Sequence, residues 1–227
     1  RATETAPASG AAFTALGAFY RARNQPDEAI ATYQKATQAA PGYLPAWIGL
    51  GQVYRLRAEN APAEEALKQA KALAPTQPDG YVALAQLYAT TLRLQEAESV
   101  LADAQAVAPG ATSVLLAQGD LALQQGQFTR ATDMYRRAAE QGPWTEDVSA
   151  SRAAAYLALG AAYLAQGRWD RAAEAYQQAA DVAPLDPTPL VRLGELRLRF
   201  NRTTEAESLF QAALSRNPAS GAALTGL

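Results

Sequence analysis

Six prolines, Pro41, Pro75, Pro109, Pro143, Pro184 and Pro218, recur along this chain at intervals of 34, 34, 34, 41 and 34 residues. Each follows an Ala-rich stretch of helical character. A unit of about 34 residues cannot bury its own apolar face, so a chain built of such units has to stack them around a shared core. Proline has a defined place in that scheme. It lacks a backbone N–H and cannot extend a helix, so it marks where each unit's last helix stops.

With each proline set at position 32 of a block, the blocks begin at Gly10, Leu44, Pro78, Thr112, Ala153 and Pro187. Position 4 is apolar or aromatic throughout: Phe13, Trp47, Tyr81, Leu115, Tyr156 and Leu190. Position 8 is Gly or Ala, as in Gly17, Gly51 and Ala85, and follows leucine in every block except the fourth, where Gln118 stands. Alanine occupies position 20 (Ala29, Ala63, Ala97, Ala131, Ala172, Ala206) and position 27 (Ala36, Ala70, Ala104, Ala138, Ala179, Ala213). Position 24 is large: Tyr33, Leu67, Leu101, Tyr135, Tyr176 and Phe210. These spacings are two amphipathic helical stripes per block, with small residues where two backbones approach and large ones filling between pairs.

The pattern resembles the tetratricopeptide repeat (TPR) family over residues 10–220, in six copies at 10–43, 44–77, 78–111, 112–145, 153–186 and 187–220. The resemblance implies an all-α fold, a right-handed superhelical solenoid of antiparallel helix pairs, the first helix of each pair lining a concave groove. Residues 1–9 (RATETAPAS) read as a linker-like segment, and 221–227 (GAALTGL) match the start of a seventh repeat, with Leu224 and Leu227 at positions 4 and 7. From these ends a fragment of a longer protein is expected. Gln118 and Ala122 depart from the pattern and predict looser packing in repeat 4; Arg197 is a further departure. At position 15 the turn favours a left-handed residue, which Asn24, Gly126, Gly167 and Asn201 supply; Ala58 and Leu92 predict a different turn in repeats 2 and 3.

Seven residues, 146–152 (EDVSASR), separate repeats 4 and 5. Seven residues are nearly two helical turns, so a helix lengthened by them keeps its apolar face in phase to within about 20°. A long first helix from about Glu146 to Gln166 is expected, with Glu146 and Asp147 at the positive end of its dipole; a loop is the alternative.

Composition excludes several chemistries. The chain has no histidine and no cysteine, which removes thiol nucleophiles, disulfides, Cys/His zinc sites and His-based acid–base catalysis. No cofactor, metal site or catalytic constellation is expected, and acid pairs such as Glu64–Glu65 and Glu205/Glu207 read as solvated helix faces. Twenty basic and 22 acidic residues give a net charge of −2, so no global field attracts nucleic acid. No apolar run reaches the roughly 20 residues a membrane helix needs. The only lysines are Lys35, Lys68 and Lys71; the excess of Arg and the abundant Ala fit a GC-rich bacterial genome, and compartment stays open.

The resemblance also carries over the family's groove positions. Position 5 gives Thr14, Ile48, Val82, Leu116, Leu157 and Val191. Position 9 gives Ala18, Gln52, Gln86, Asp120, Ala161 and Glu195; position 12 gives Arg21, Arg55, Ala89, Leu123, Leu164 and Leu198, and Arg199 follows at position 13 of repeat 6. Apolar residues there exceed what the fold requires, and contiguous apolar surface marks binding sites. The expected function is a non-catalytic scaffold that binds a protein or peptide segment and helps assemble a bacterial multiprotein complex. The family's carboxylate clamp of Lys and Asn is absent, since position 5 is never Lys and position 9 never Asn. Mutual packing of the groove residues, a self-associating module and the repeat region of a larger enzyme such as a glycosyltransferase stay open. Arg192, Arg197, Arg199 and Arg202 form a basic cluster diluted by Glu195 and Glu205. Phe128 and Trp169, at position 17, are expected to plug the space between hairpins, and Trp144 is a candidate interface anchor.

Overall fold

Proline and alanine set the helices. In α2 (Pro26–Ala39), Pro26 lies in the first turn, where no backbone donor is needed, and Asp27 and Glu28 lie at the positive end of the dipole. Ala29, Tyr33 and Ala36 then fall on one buried face. The same logic recurs along the chain in a computed structural model that describes residues 6–140 and 146–226, and side chains of 9–140 and 150–226. Among the described residues there are thirteen helices and no strand.

Two compact units divide the chain, Arg1–Ala117 and Gln118–Leu227. In the first, α1 (Ala6–Ala22) pairs with α2, α3 (Leu44–Leu56) with α4 (Asn60–Leu73), and α5 (Pro78–Thr90) with α6 (Leu94–Val107). Successive pairs nest, with α2 on α3, α4 on α5, and the first helices α1 on α3 and α3 on α5. The boundary falls in α7 (Thr112–Gln124). In the second unit α8 (Phe128–Glu140) packs on α9 (Glu146–Ala165), α9 on α10 (Trp169–Val182), α10 on α11 (Thr188–Arg199) and α11 on α12 (Thr203–Arg216). The short α13 (Gly221–Gly226) packs on α11 and α12 and buries Ala223.

The alanines at positions 20 and 27 are sealed, none more than 1 % exposed. Position 24 lies against position 8 of the same repeat. A Cβ added to Gly160 would come within 2.4 Å of the Tyr176 ring, and one added to Gly51 within 2.5 Å of Leu67. Helix approach therefore requires glycine at these positions, whereas repeat 3 accommodates Ala85, 2 % exposed, in the same place. Between repeats, position-4 aromatics anchor to the preceding proline: Trp47 Nε1 donates to the Pro41 carbonyl at 2.8 Å and Tyr81 Oη to the Pro75 carbonyl at 2.9 Å.

The turns of repeats 2 and 3 differ from expectation. Ala58 and Leu92 take left-handed φ of 59° and 60°, beside Asn24 and Asn201 at 56°, Gly126 at 72° and Gly167 at 69°. The backbone dictates this. In all six repeats the N–H of position 15 bonds the carbonyl of position 12, and the N–H of position 16 reaches back to that of position 11, as in Leu92 to Ala89 and Arg93 to Tyr88. This 6→1 closure needs a left-handed residue whatever the side chain.

α9 runs through the inserted residues 146–152 and is roughly 30 Å long at 1.5 Å per residue. The side chains of Glu146 and Asp147, and Pro143 and Trp144 entirely, lie outside the described residues. Residues 6–9 of the linker-like segment form the first turn of α1, with proline at its second position.

Candidate functional site

Each unit holds a cavity lined by first helices. In the first, Arg21 from α1 and Ile48 and Gln52 from α3 border about 370 Å³ with Tyr33, Pro45 and Asp79. Arg21 Nη1 donates to Gln52 Oε1, so positions 12 and 9 of neighbouring repeats close on one another. Ile48 is half-buried beneath them.

The second unit's cavity is larger, about 460 Å³. Leu157, Ala161 and Leu164 form one wall at i, i+4, i+7 on α9, a single helix face. Thr188, Arg192, Glu195, Leu196 and Arg199 of α11 form the other, and Tyr176 of α10 closes it below. Both leucines are half-buried. Arg192 Nη1 pairs with Glu195 Oε2 at 2.9 Å. The Arg199 guanidinium lies 5.4 Å from the Trp169 ring centroid, and Trp169 meets Phe200 edge-on at 5.8 Å. Trp169 thus joins α10 to the end of α11, as its position predicted, whereas Phe128 stays 37 % exposed. In the rest of the basic cluster Arg197 and Arg202 share one carboxylate, Glu205, at 3.2 and 3.0 Å.

The remaining candidates distribute unevenly. Asp120 accepts from Tyr135 Oη at 2.6 Å; desolvation pushes its carboxyl pKa above the ordinary value, and the tyrosine's bond partly offsets this. Burial and that same carboxylate push the Tyr135 hydroxyl up. Val82, Leu116 and Leu123 are half-buried, as is Arg55, and Gln86 is exposed. Leu198 is 38 % exposed and stands outside the cavity wall. Val191 is a correction. At 4 % exposure it is enclosed in α11, which packs on α10, α12 and α13, and offers no surface to a ligand.

Tyr33, Tyr176, Pro45, Asp79 and Thr188 line the cavities without having been singled out. The last three share position 2, which the family resemblance also counts among the groove positions and which lies one turn before position 5 on the same helix face. The tyrosines could not be found so, because position 24 reads as core. Among the described residues no cluster of His, Cys, Asp or Glu could hold a metal ion, and no helix is long and apolar enough to cross a membrane.

Two tetratricopeptide repeat models match the sequence, one over residues 20–79 and 163–227, the other over 82–143 and 116–188. The chain belongs to the tetratricopeptide repeat family. Solved structures agree with that fold. This TPR chain is similar to a thermophilic TPR protein of Thermus thermophilus, 26 % identical, TM-score 0.69, with 83 % of this chain and 99 % of that one covered. It is similar to PilW, a type IV pilus biogenesis factor, at 18 % identity and TM-score 0.65, covering 95 % and 97 %. It also matches the APC/C hetero-tetramer Cut9-Hcn1 at 20 % identity and TM-score 0.65, covering 97 % of this chain but 42 % of that one. Comparison with curated proteins gave no match. TPR arrays are protein–protein interaction scaffolds, and this chain has the fold for that role.

Proposed function

We propose that this TPR chain is a non-catalytic scaffold that takes a peptide segment of a partner into its first-helix cavities and so helps assemble a multiprotein complex, in a bacterium by its Arg- and Ala-rich composition. The observation that carries this is the cavity of the second unit, where half-buried Leu157 and Leu164 line about 460 Å³. A Leu-sized side chain gains about 1.5–3 kcal/mol on full burial, so two or three such anchors reach micromolar affinity after ordering costs. The resemblance to PilW supports an assembly role through the fold alone. Replacing Leu157 and Leu164 together by Glu is expected to abolish capture of partner proteins from a lysate of the source organism while leaving circular dichroism unchanged. Retained capture with retained helicity refutes the assignment.

A second reading, self-association, draws on α1. Positions 3, 7 and 10 are buried in α3 and α5 of the first unit and in α9 and α11 of the second, yet their counterparts Ala12, Leu16 and Phe19 are exposed, the last two at 41 % and 52 %. Light scattering that shows a monomer across a wide concentration range removes this reading.

A further inference from the structure

Three repeats carry tyrosine at position 24, and position 9 decides what its hydroxyl meets. In the fourth repeat Tyr135 Oη donates to Asp120, the residue at position 9, at 2.6 Å. In the fifth, position 9 is Ala161, which has no side-chain acceptor. Tyr176 Oη accordingly has no hydrogen-bond partner among the described residues, although only 2 % of the residue is exposed and it lines the cavity. Loss of the acceptor converts a satisfied structural hydroxyl into a donor available to whatever enters. Its oxygen is not among the polar atoms sealed from solvent, so water reaches it in the open cavity; an anchor that fills the cavity displaces that water, and an apolar anchor alone supplies no partner in its place.

The charges of the lining as a whole favour a segment that carries negative charge. Glu195 is matched by Arg192 at 2.9 Å. Arg199, exposed at the rim, is held over the Trp169 ring at 5.4 Å and has no carboxylate within ion-pair distance among the described residues. The lining therefore carries one uncompensated positive charge, on a planar guanidinium that an aromatic face already holds in place. Holding it so lowers the entropy lost when a carboxylate binds.

We propose that the segment received by this cavity carries an aspartate or glutamate immediately beside its aliphatic anchor. The anchor packs on Leu157 and Leu164, the carboxylate is received by Arg199, and the Tyr176 hydroxyl donates to an acceptor of the same segment. An internal acidic residue is the occupant, because Arg199 stands at the exposed rim where the side chain of a passing strand reaches it. The assignment rests on the docking function proposed for the same cavity.

The probe is an array of immobilised decapeptides, Gly- and Ser-flanked, whose two central residues vary over Leu, Ala, Asp, Asn and Lys, incubated with the purified chain. Asp–Leu peptides are expected to retain about 5-fold more protein than Asn–Leu ones, the size of one exposed ion pair, and to lose that margin in high salt. Arg199→Gln should level Asp–Leu with Asn–Leu while keeping Leu over Ala. Tyr176→Phe should weaken Asp–Leu retention about 2- to 5-fold, the worth of one hydrogen bond, without altering the circular dichroism spectrum. Selection of Leu over Ala with Asp, Asn and Lys equal, or with Lys preferred, overturns the acidic partner and leaves the docking site standing. No selection of Leu over Ala overturns both.

Discussion

Leu92 shows how far backbone demand overrides side-chain preference. A left-handed conformation costs a residue with a Cβ about 1–2 kcal/mol, yet Leu92 adopts φ 60° because two hydrogen bonds close the turn only in that form. Its side chain contributes little in return, being 74 % exposed. Asparagine tolerates the same region through local hydrogen bonding and serves at Asn24 and Asn201. Leu92→Asn is therefore expected to raise stability by about 1 kcal/mol, read as a higher urea midpoint at unchanged slope. A fall in midpoint would mean that the leucine makes a contribution its exposure hides. The opposite demand applies at position 8, where Gly51 faces Leu67 and the Ala63 carbonyl at 2.5 and 3.3 Å from a built Cβ. There the neighbour sets the residue; at position 15 the chain's own path does.

At the scale of helices, adjoining pairs are tied by side chains that no repeat consensus specifies. Glu64 of α4 accepts from Tyr88 Oη of α5 at 3.0 Å, from Lys68 at 2.7 Å and from Arg93 at 2.5 Å, and the Arg93 guanidinium lies 4.2 Å from the Tyr88 ring centroid. The Arg93 bond, followed by the Lys68 bond, holds the Glu64 carboxyl down to about 2 from 4.5. A depressed carboxylate pKa stabilises the fold above its unfolded value, and that stabilisation drains away as pH falls from about 4.5 toward 2. With solvent screening at this partly exposed site the contribution is about 1–2 kcal/mol. Glu64→Gln should thus lower the thermal midpoint at about pH 6, and the gap to the parent should narrow steadily as the pH is taken to about 2.5. A gap independent of pH would assign the loss to hydrogen-bond geometry alone. Repeat 4 has Ala122 where Tyr88 stands in repeat 3, so it lacks the hydroxyl for such a tie.

For the chain as a whole, stability in each unit follows from neighbour-to-neighbour packing, since repeats touch only those beside them. Leu67 is 1 % exposed and fills the space beside Gly51 in the first unit. Leu67→Ala is expected to cost about 2–5 kcal/mol by leaving a cavity. Native-state hydrogen exchange should register that loss first in α3, α4 and α5, with smaller changes in α10 and α12 of the second unit. Uniform loss of protection across both units would show that the chain opens as one cooperative body.

Proline spacing and the alanines at positions 20 and 27 made the helix pairs legible from sequence, because stacking imposes one set of small and large residues on every repeat. The same regularity pointed to part of the candidate site: Leu157, Leu164, Glu195 and Arg199, all from groove positions, line the second unit's cavity. Val191 was misplaced by that logic and Tyr176 overlooked by it. Both outcomes depend on what lies around the residue, the packing that encloses one and the missing acceptor at Ala161 beside the other. A repeat pattern states which way a side chain points along its own helix. Only the packed structure decides whether another helix already fills the space it points into.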